Sequence, residues 1–145
     1  MKSRAVTGNS KRAIFINDVF GSQQEMVSKV RETLSLEENT DDFLTDEIIL
    51  APLHTDVAAE TSEYMMSFLY SGNEDKTKLA RKNCMYNLCG SICHALASRV
   101  KDERFAAHRN IDWLEMSQTF YNIASCCEIQ LRNAGGAYGR KKASV

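Results

Sequence analysis

Residues 76–100, "KTKLARKNCMYNLCGSICHALASRV", set the strongest limit on what this chain can become. Leu79, Met85, Tyr86, Leu88, Ile92, Cys93 and Leu96 recur at helical steps without keeping to one narrow stripe. A helix that is apolar almost all round is stable only when other elements surround it. The spacing therefore predicts a central helix inside a helical bundle. The rest of the chain fits that demand. Its 145 residues favour one domain and suffice for a core without staples. Pro52 is the single proline, and three of the seven glycines, Gly135, Gly136 and Gly139, fall near the end. So few breakers in the middle favour an all-α fold over a many-turned β protein.

The flanking segments supply the neighbours. In "SKRAIFINDVFGSQQEMVSKVRETLSL", Ile16, Val19, Phe20, Val27, Val30 and Leu34 recur at three- and four-residue steps, with a skip at Gln23. This is an amphipathic helix with Ser10 as its N-cap candidate, although "AIFI" could also open a strand. Gly21 weakens the helix by about 1 kcal/mol relative to alanine and can kink it. Phe43, Leu44, Ile48 and Leu50 suggest a short helix that Pro52 ends or bends. Residues 55–70 read as a further helix, with Gly72 near its C′ position. "RVKDERFAAH" reads as a polar continuation or a short separate helix. A last amphipathic helix runs from Asn110, its cap candidate, through Trp113, Met116, Phe120, Ile123, Cys127 and Leu131. The expected organisation is a helical domain over residues 1–133 and a flexible basic tail over 134–145.

Charge and cysteine content narrow the function classes. The net charge is −1, so no global field draws the chain to nucleic acid. No signal peptide and no transmembrane anchor are read, and five cysteines do not form a secreted disulfide framework. A reducing, cytoplasmic setting is expected. His54, His94 and His108 have no nucleophile or carboxylate beside them in a catalytic pattern, and no phosphate-binding glycine motif occurs. The chain reads as a non-enzyme without a cofactor.

Two features in the opening run carry open alternatives. Cys89 and Cys93 share a helix face, with His94 adjacent, so a metal site is conceivable. Their spacing lacks the usual zinc knuckle, and small buried side chains are the simpler reading. Arg81 is either a solvated surface charge or an arginine at the rim of an apolar groove, where its forked donors would meet a carboxylate.

"SFLYSG…KLARKNCMYNLCGSIC" resembles the BH1 region of Bcl-2 proteins. Leu69 and Tyr70 stand where that family has Leu-Phe before a glycine, and Gly72 matches the glycine. Arg81 matches the arginine of N-W-G-R, and Leu88, Gly90, Ile92 and Cys93 match the apolar run that ends G-x-L-C. "NIDWLEMSQTF" is similar to BH2, with Asn110 and Trp113 keeping the N-x-x-W spacing and Met116 and Phe120 in the later positions. The chain departs from the pattern at Lys78, Leu79 and Ala80, which replace N-W-G. It also has "IDW" in place of G-G-W, a longer connection before the arginine and no hydrophobic tail. These features resemble the short anchor-less homologues of large DNA viruses.

The resemblance implies a Bcl-2-like bundle around the central helix. It also implies an apoptosis inhibitor that holds BH3 helices of pro-apoptotic partners in a surface groove. Arg81 would meet the BH3 aspartate. Cys84, Met85, Leu88, Leu69, Met65 and Phe120 would offer apolar groove surface. Gly90, Asn110 and Trp113 would serve the frame. Exposed groove surface would also let two copies associate as a homodimer. Two other readings stand beside it: a helical host-factor binder that uses another face of the same bundle, and a metal-binding or enzymatic helical protein.

Overall fold

A computed structural model describes residues 12–34, 42–54 and 66–135. Among them every regular element is helical. The first helical stretch does not run through as one piece. Ile14–Phe20 winds as a π-helix, and Gly21 breaks it at φ 101°, a conformation that suits glycine. Ser22 then restarts the chain: its hydroxyl accepts the Glu25 N–H at 3.1 Å, opening α1 over Gln23–Leu34. The Gly21 kink read from the sequence is thus a full break, and "AIFI" is helical. Ser10 lies outside the described residues. Met26, Val30 and Leu34, at four-residue steps, form the buried face of α1.

Helix α2, Asp46–Leu50, is capped by Thr45, whose hydroxyl accepts the Ile48 N–H at 3.2 Å. Phe43 and Leu44 precede it in a turn and are fully buried. Pro52 lies in the 3₁₀ turn Ala51–His54 that follows. Arg31 of α1 reaches Asp46 of α2 at 3.1 Å. Of the helix expected over 55–70, only residues 66–70 are described, and they end in the 3₁₀ turn Phe68–Tyr70. Gly72 follows at φ 80°, as its place after the helix requires.

Helix α3, Glu74–Arg99, is the long helix read from the sequence. Asn73 caps it by accepting the Lys76 N–H at 3.1 Å, and Glu74 and Asp75 complement its positive end. Its middle is buried on every side, from Leu88 through Cys93. A 3₁₀ turn, Glu103–His108, leads to α4, Trp113–Gly135. The cap of α4 is Asp112, which accepts the Glu115 N–H at 3.1 Å; Asn110 is exposed one turn earlier and does not cap it.

Helices α3 and α4 form an antiparallel hairpin. Asn83 donates to the Ala124 carbonyl at 2.8 Å, and Ser117 donates to the Gly90 carbonyl at 2.7 Å. Trp113, Ser117, Ala124, Cys127 and Leu131 are buried along α4, with Met116 and Phe120 half-buried. Ile123, expected on this face, is 36% exposed. The main core joins Phe15, α1, Phe43, α2 and the hairpin. A smaller cluster of Phe68, Leu69, Ala80 and Leu131 lies at the other end of α3, with Ile14 and Val19 packed on it.

Candidate binding surface on the central helix

The first two turns of α3 present an exposed face opposite buried Ala80. Lys78, Arg81 and Lys82 are exposed there, and Met85, one turn beyond Arg81, is half-buried. Arg81 has no hydrogen-bond or ion-pair partner among the described residues. Met85 marks the place where α1 begins to cover α3: the Thr33 hydroxyl lies 3.9 Å from its sulfur. On the next position, Tyr86 stacks on Phe120 of α4 with ring centroids 5.8 Å apart. Phe120 and Met116 border a depression of about 340 Å³, closed by Ile111, Asp112, Glu115 and Thr119.

The expected groove residues therefore fall into two sets. Arg81, Met85 and Phe120 reach the surface. Cys84 and Leu88 have no exposure and Leu69 is 8% exposed. This corrects the expectation that these three offer open apolar surface. The physical reason is coverage: the main core closes over Cys84 and Leu88, and Ile14 and Val19 close over the cluster that holds Leu69. Met65 lies outside the described residues.

The frame residues have structural tasks. A Cβ on Gly90 would stand 2.8 Å from Cε1 of Tyr121, so only glycine lets the two helices approach this closely. Trp113 is buried, and its indole N–H donates to the His108 carbonyl at 3.0 Å. Tyr121 and Ser91, whose hydroxyls lie 2.8 Å apart, join Asn83 and Ser117 in a polar seam between the helices. The sequence reading passed over these residues because it followed apolar positions. The available signal was spacing, since Ser117, Tyr121 and Ala124 continue the three- and four-residue steps from Trp113.

The cysteine face is inward. Burial pushes the thiols of Cys84, Cys89 and Cys93 up to about 12, and for Cys93 the neighbouring Cys89 adds to the rise. At neutral pH burial keeps them as uncharged, packed side chains. His94 is exposed, away from the buried Cys89 and Cys93. Among the described residues no group of three or more His, Cys, Asp or Glu is placed to hold a metal. No described helix is long and apolar enough to cross a membrane.

A second depression, of about 580 Å³, opens between Asp42, Phe43, Thr45, Arg104, Phe105 and His108. Here Arg99 and Arg104 lie over the Phe105 ring, at 4.5 and 4.9 Å from its centroid. Arg99 also donates to the carbonyls of Phe43 and Asp42, both at 2.9 Å. These contacts account for the arginine at Arg99 as a fastener of the N-terminal segment.

No family model matches the chain, and neither a curated protein nor a solved structure matches it.

Proposed function

We propose that this chain binds an amphipathic helix of a partner protein along the exposed start of α3, as a Bcl-2-like inhibitor of apoptosis binds a BH3 helix. The observation that carries the reading is Arg81. It is an exposed guanidinium with no partner among the described residues, in the second turn of a helix whose middle is core, with half-open Met85 one turn further on. A forked cation beside an apolar step suits a helix that presents one carboxylate among apolar anchors. The all-α architecture around one long buried helix is in keeping with this. The motif likeness around Arg81 and Trp113 is the further support. In this reading the partner meets Arg81, Met85, Tyr86 and Phe120, while Cys84, Leu88 and Leu69 back the surface from beneath. The protein then acts in the host cytosol and reaches mitochondria through its partners.

Calorimetric titration with a panel of BH3 peptides tests this, with an aspartate-to-alanine control. Submicromolar binding that the control loses supports the reading. Arg81→Ala is expected to weaken that binding by about 1.5–3 kcal/mol, as for a hydrogen bond to a charged group. Unchanged affinity in a folded Arg81→Ala variant removes Arg81 from the mechanism. A second reading, binding of a host factor through another face, is favoured by Leu114 and Ile129 of α4, which are 58% and 56% exposed. Silence across the peptide panel turns the search to that face.

A further inference from the structure

We infer that the partner helix taken at Arg81 is acidic beyond its single carboxylate, because the start of α3 presents three clustered cations. This rests on the helix-binding reading above. Arg81 and Lys82 stand three and four residues after Lys78, which makes each of them its neighbour on the helix surface. All three are exposed. Lys78 reaches Glu74 at 3.8 Å with its side chain still 66% exposed, so that carboxylate offsets part of the charge. Neither Arg81 nor Lys82 has an ion-pair partner among the described residues.

Beyond the Glu74–Lys78 pair, no ion pair among the described residues offsets this arrangement. Like charges at these spacings repel and weaken a helix. Cations near a helix start also oppose the dipole, and Lys78 lies close to that end. The chain as a whole is nearly neutral, at −1, so the cluster is local. Its members straddle a ridge: at about 100° per residue, Arg81 and Lys82 face its two sides. Lys82 is near enough to Cys127 of α4 for its positive charge to oppose the burial that raises that thiol. A helix lying along the ridge is therefore flanked by positive charge on both sides. Acidic residues on its two solvent flanks relieve the repulsion, while its apolar stripe meets Met85 and Tyr86. The half-buried Met85 and Tyr86 beside the cations favour such a helix over a phosphate backbone, which would leave them unused.

The test uses the full chain and a BH3 peptide that binds it. Two versions of the peptide differ only at two solvent-side positions flanking the aspartate, Gln in one and Glu in the other. Titration and stopped-flow association are run at low and high salt, with single-stranded RNA as a competing anion. The expected result is about tenfold tighter binding of the Glu version at low salt, mostly through faster association, with the gain lost at high salt. In Lys78→Gln/Lys82→Gln the gain disappears while the aspartate is still required. Equal affinity for the two peptides, or a gain that survives in the double variant, overturns the inference and leaves Arg81 acting alone. RNA binding that matches the peptide's assigns the cluster to phosphates instead and also overturns it. If no peptide binds at all, the helix-binding reading falls and takes this inference with it.

Discussion

The α3–α4 hairpin and the N-terminal segment, residues 12–34 and 42–54, are fastened by different chemistry. The hairpin is set in register by directed contacts. Asn83 reaches the Ala124 carbonyl, Ser117 the Gly90 carbonyl, and Tyr121 lies against Gly90 while its hydroxyl meets Ser91. Each of these is met only at one sliding position of the two helices. The N-terminal segment instead lies over the hairpin through apolar side chains, with Phe15, Met26, Val30 and Phe43 at zero exposure. Its directed ties among the described residues include Arg99 to two carbonyls, Thr33 to the Met85 sulfur, and Tyr70 to Asp18. Apolar contact is strong but undirected. The hairpin should therefore behave as a fixed frame, and the N-terminal segment as a cover that can open with less loss of register. That matters for function because the cover is what separates Cys84 and Leu88 from solvent.

The largest test of this difference is Phe43→Ala. Phe43 is fully buried, stacks on His108 at 4.2 Å, and lies 5.3 and 5.6 Å from the rings of Phe105 and Trp113. Truncating a buried phenylalanine costs about 3–5 kcal/mol. Hydrogen exchange should show α1 and α2 losing protection well before the seam of α3 and α4. Loss of protection in all four helices together would show one cooperative unit and end the distinction.

Gly90→Ala probes the frame itself. In an open helix this change gains about 1 kcal/mol from propensity. Here the new methyl meets the Tyr121 ring, which the Ser91 hydroxyl holds at its far end. A net loss of about 1–3 kcal/mol is expected, as for other overpacked sites. The companion measurement is the same change in a Tyr121→Ala background. There the sign should reverse, because the obstructing ring is gone. A loss of the same size in both backgrounds would mean that the close approach does not depend on Tyr121.

The two regions also differed in how much of them the sequence disclosed. The long helix, its acidic start and the glycine after Tyr70 followed from spacing and cap chemistry. The polar seam did not, because counting apolar positions ignores Ser117 and Asn83, whose burial depends on a partner carbonyl across the gap. The sequence reading offers Asn110 as the α4 cap, two residues before the Asp112 that takes that place. What settles it for Asp112 is the turn before it, where Trp113 donates to the His108 carbonyl. Arg81 was left open between surface and rim, and its exposure is a tertiary property. The resemblance to BH1 puts Cys84 and Leu88 on a groove, and neither it nor periodicity tells whether another helix covers them. That cover comes from residues some fifty positions away, as the contact of Thr33 with Met85 illustrates.

The smallest effect, and the finest probe of the cover, is Tyr70→Phe. Tyr70 is 60% exposed, and its hydroxyl donates to the Asp18 carboxylate, tying the π-helical segment to the turn before α3. Partial burial first, and then the bond to Asp18 and its negative charge, push the phenol up to about 12 from its ordinary 10.0. The unfolded chain therefore releases this proton first as pH rises past about 10, while the folded chain keeps it until about 12. The contribution of the tie to stability is whole below that window and declines through it. Because the pair is solvated, removing the hydroxyl should cost no more than about 1 kcal/mol at neutral pH. Absorbance titration should show a late phenol in the wild-type chain that the variant lacks. Exchange in residues 14–20 should quicken while the α3–α4 seam is unchanged. If Tyr70 instead titrates at its ordinary 10.0, the tie does not form in solution. The π-helical segment would then be held by its apolar side chains alone, which is the limiting form of the undirected attachment argued for the whole cover.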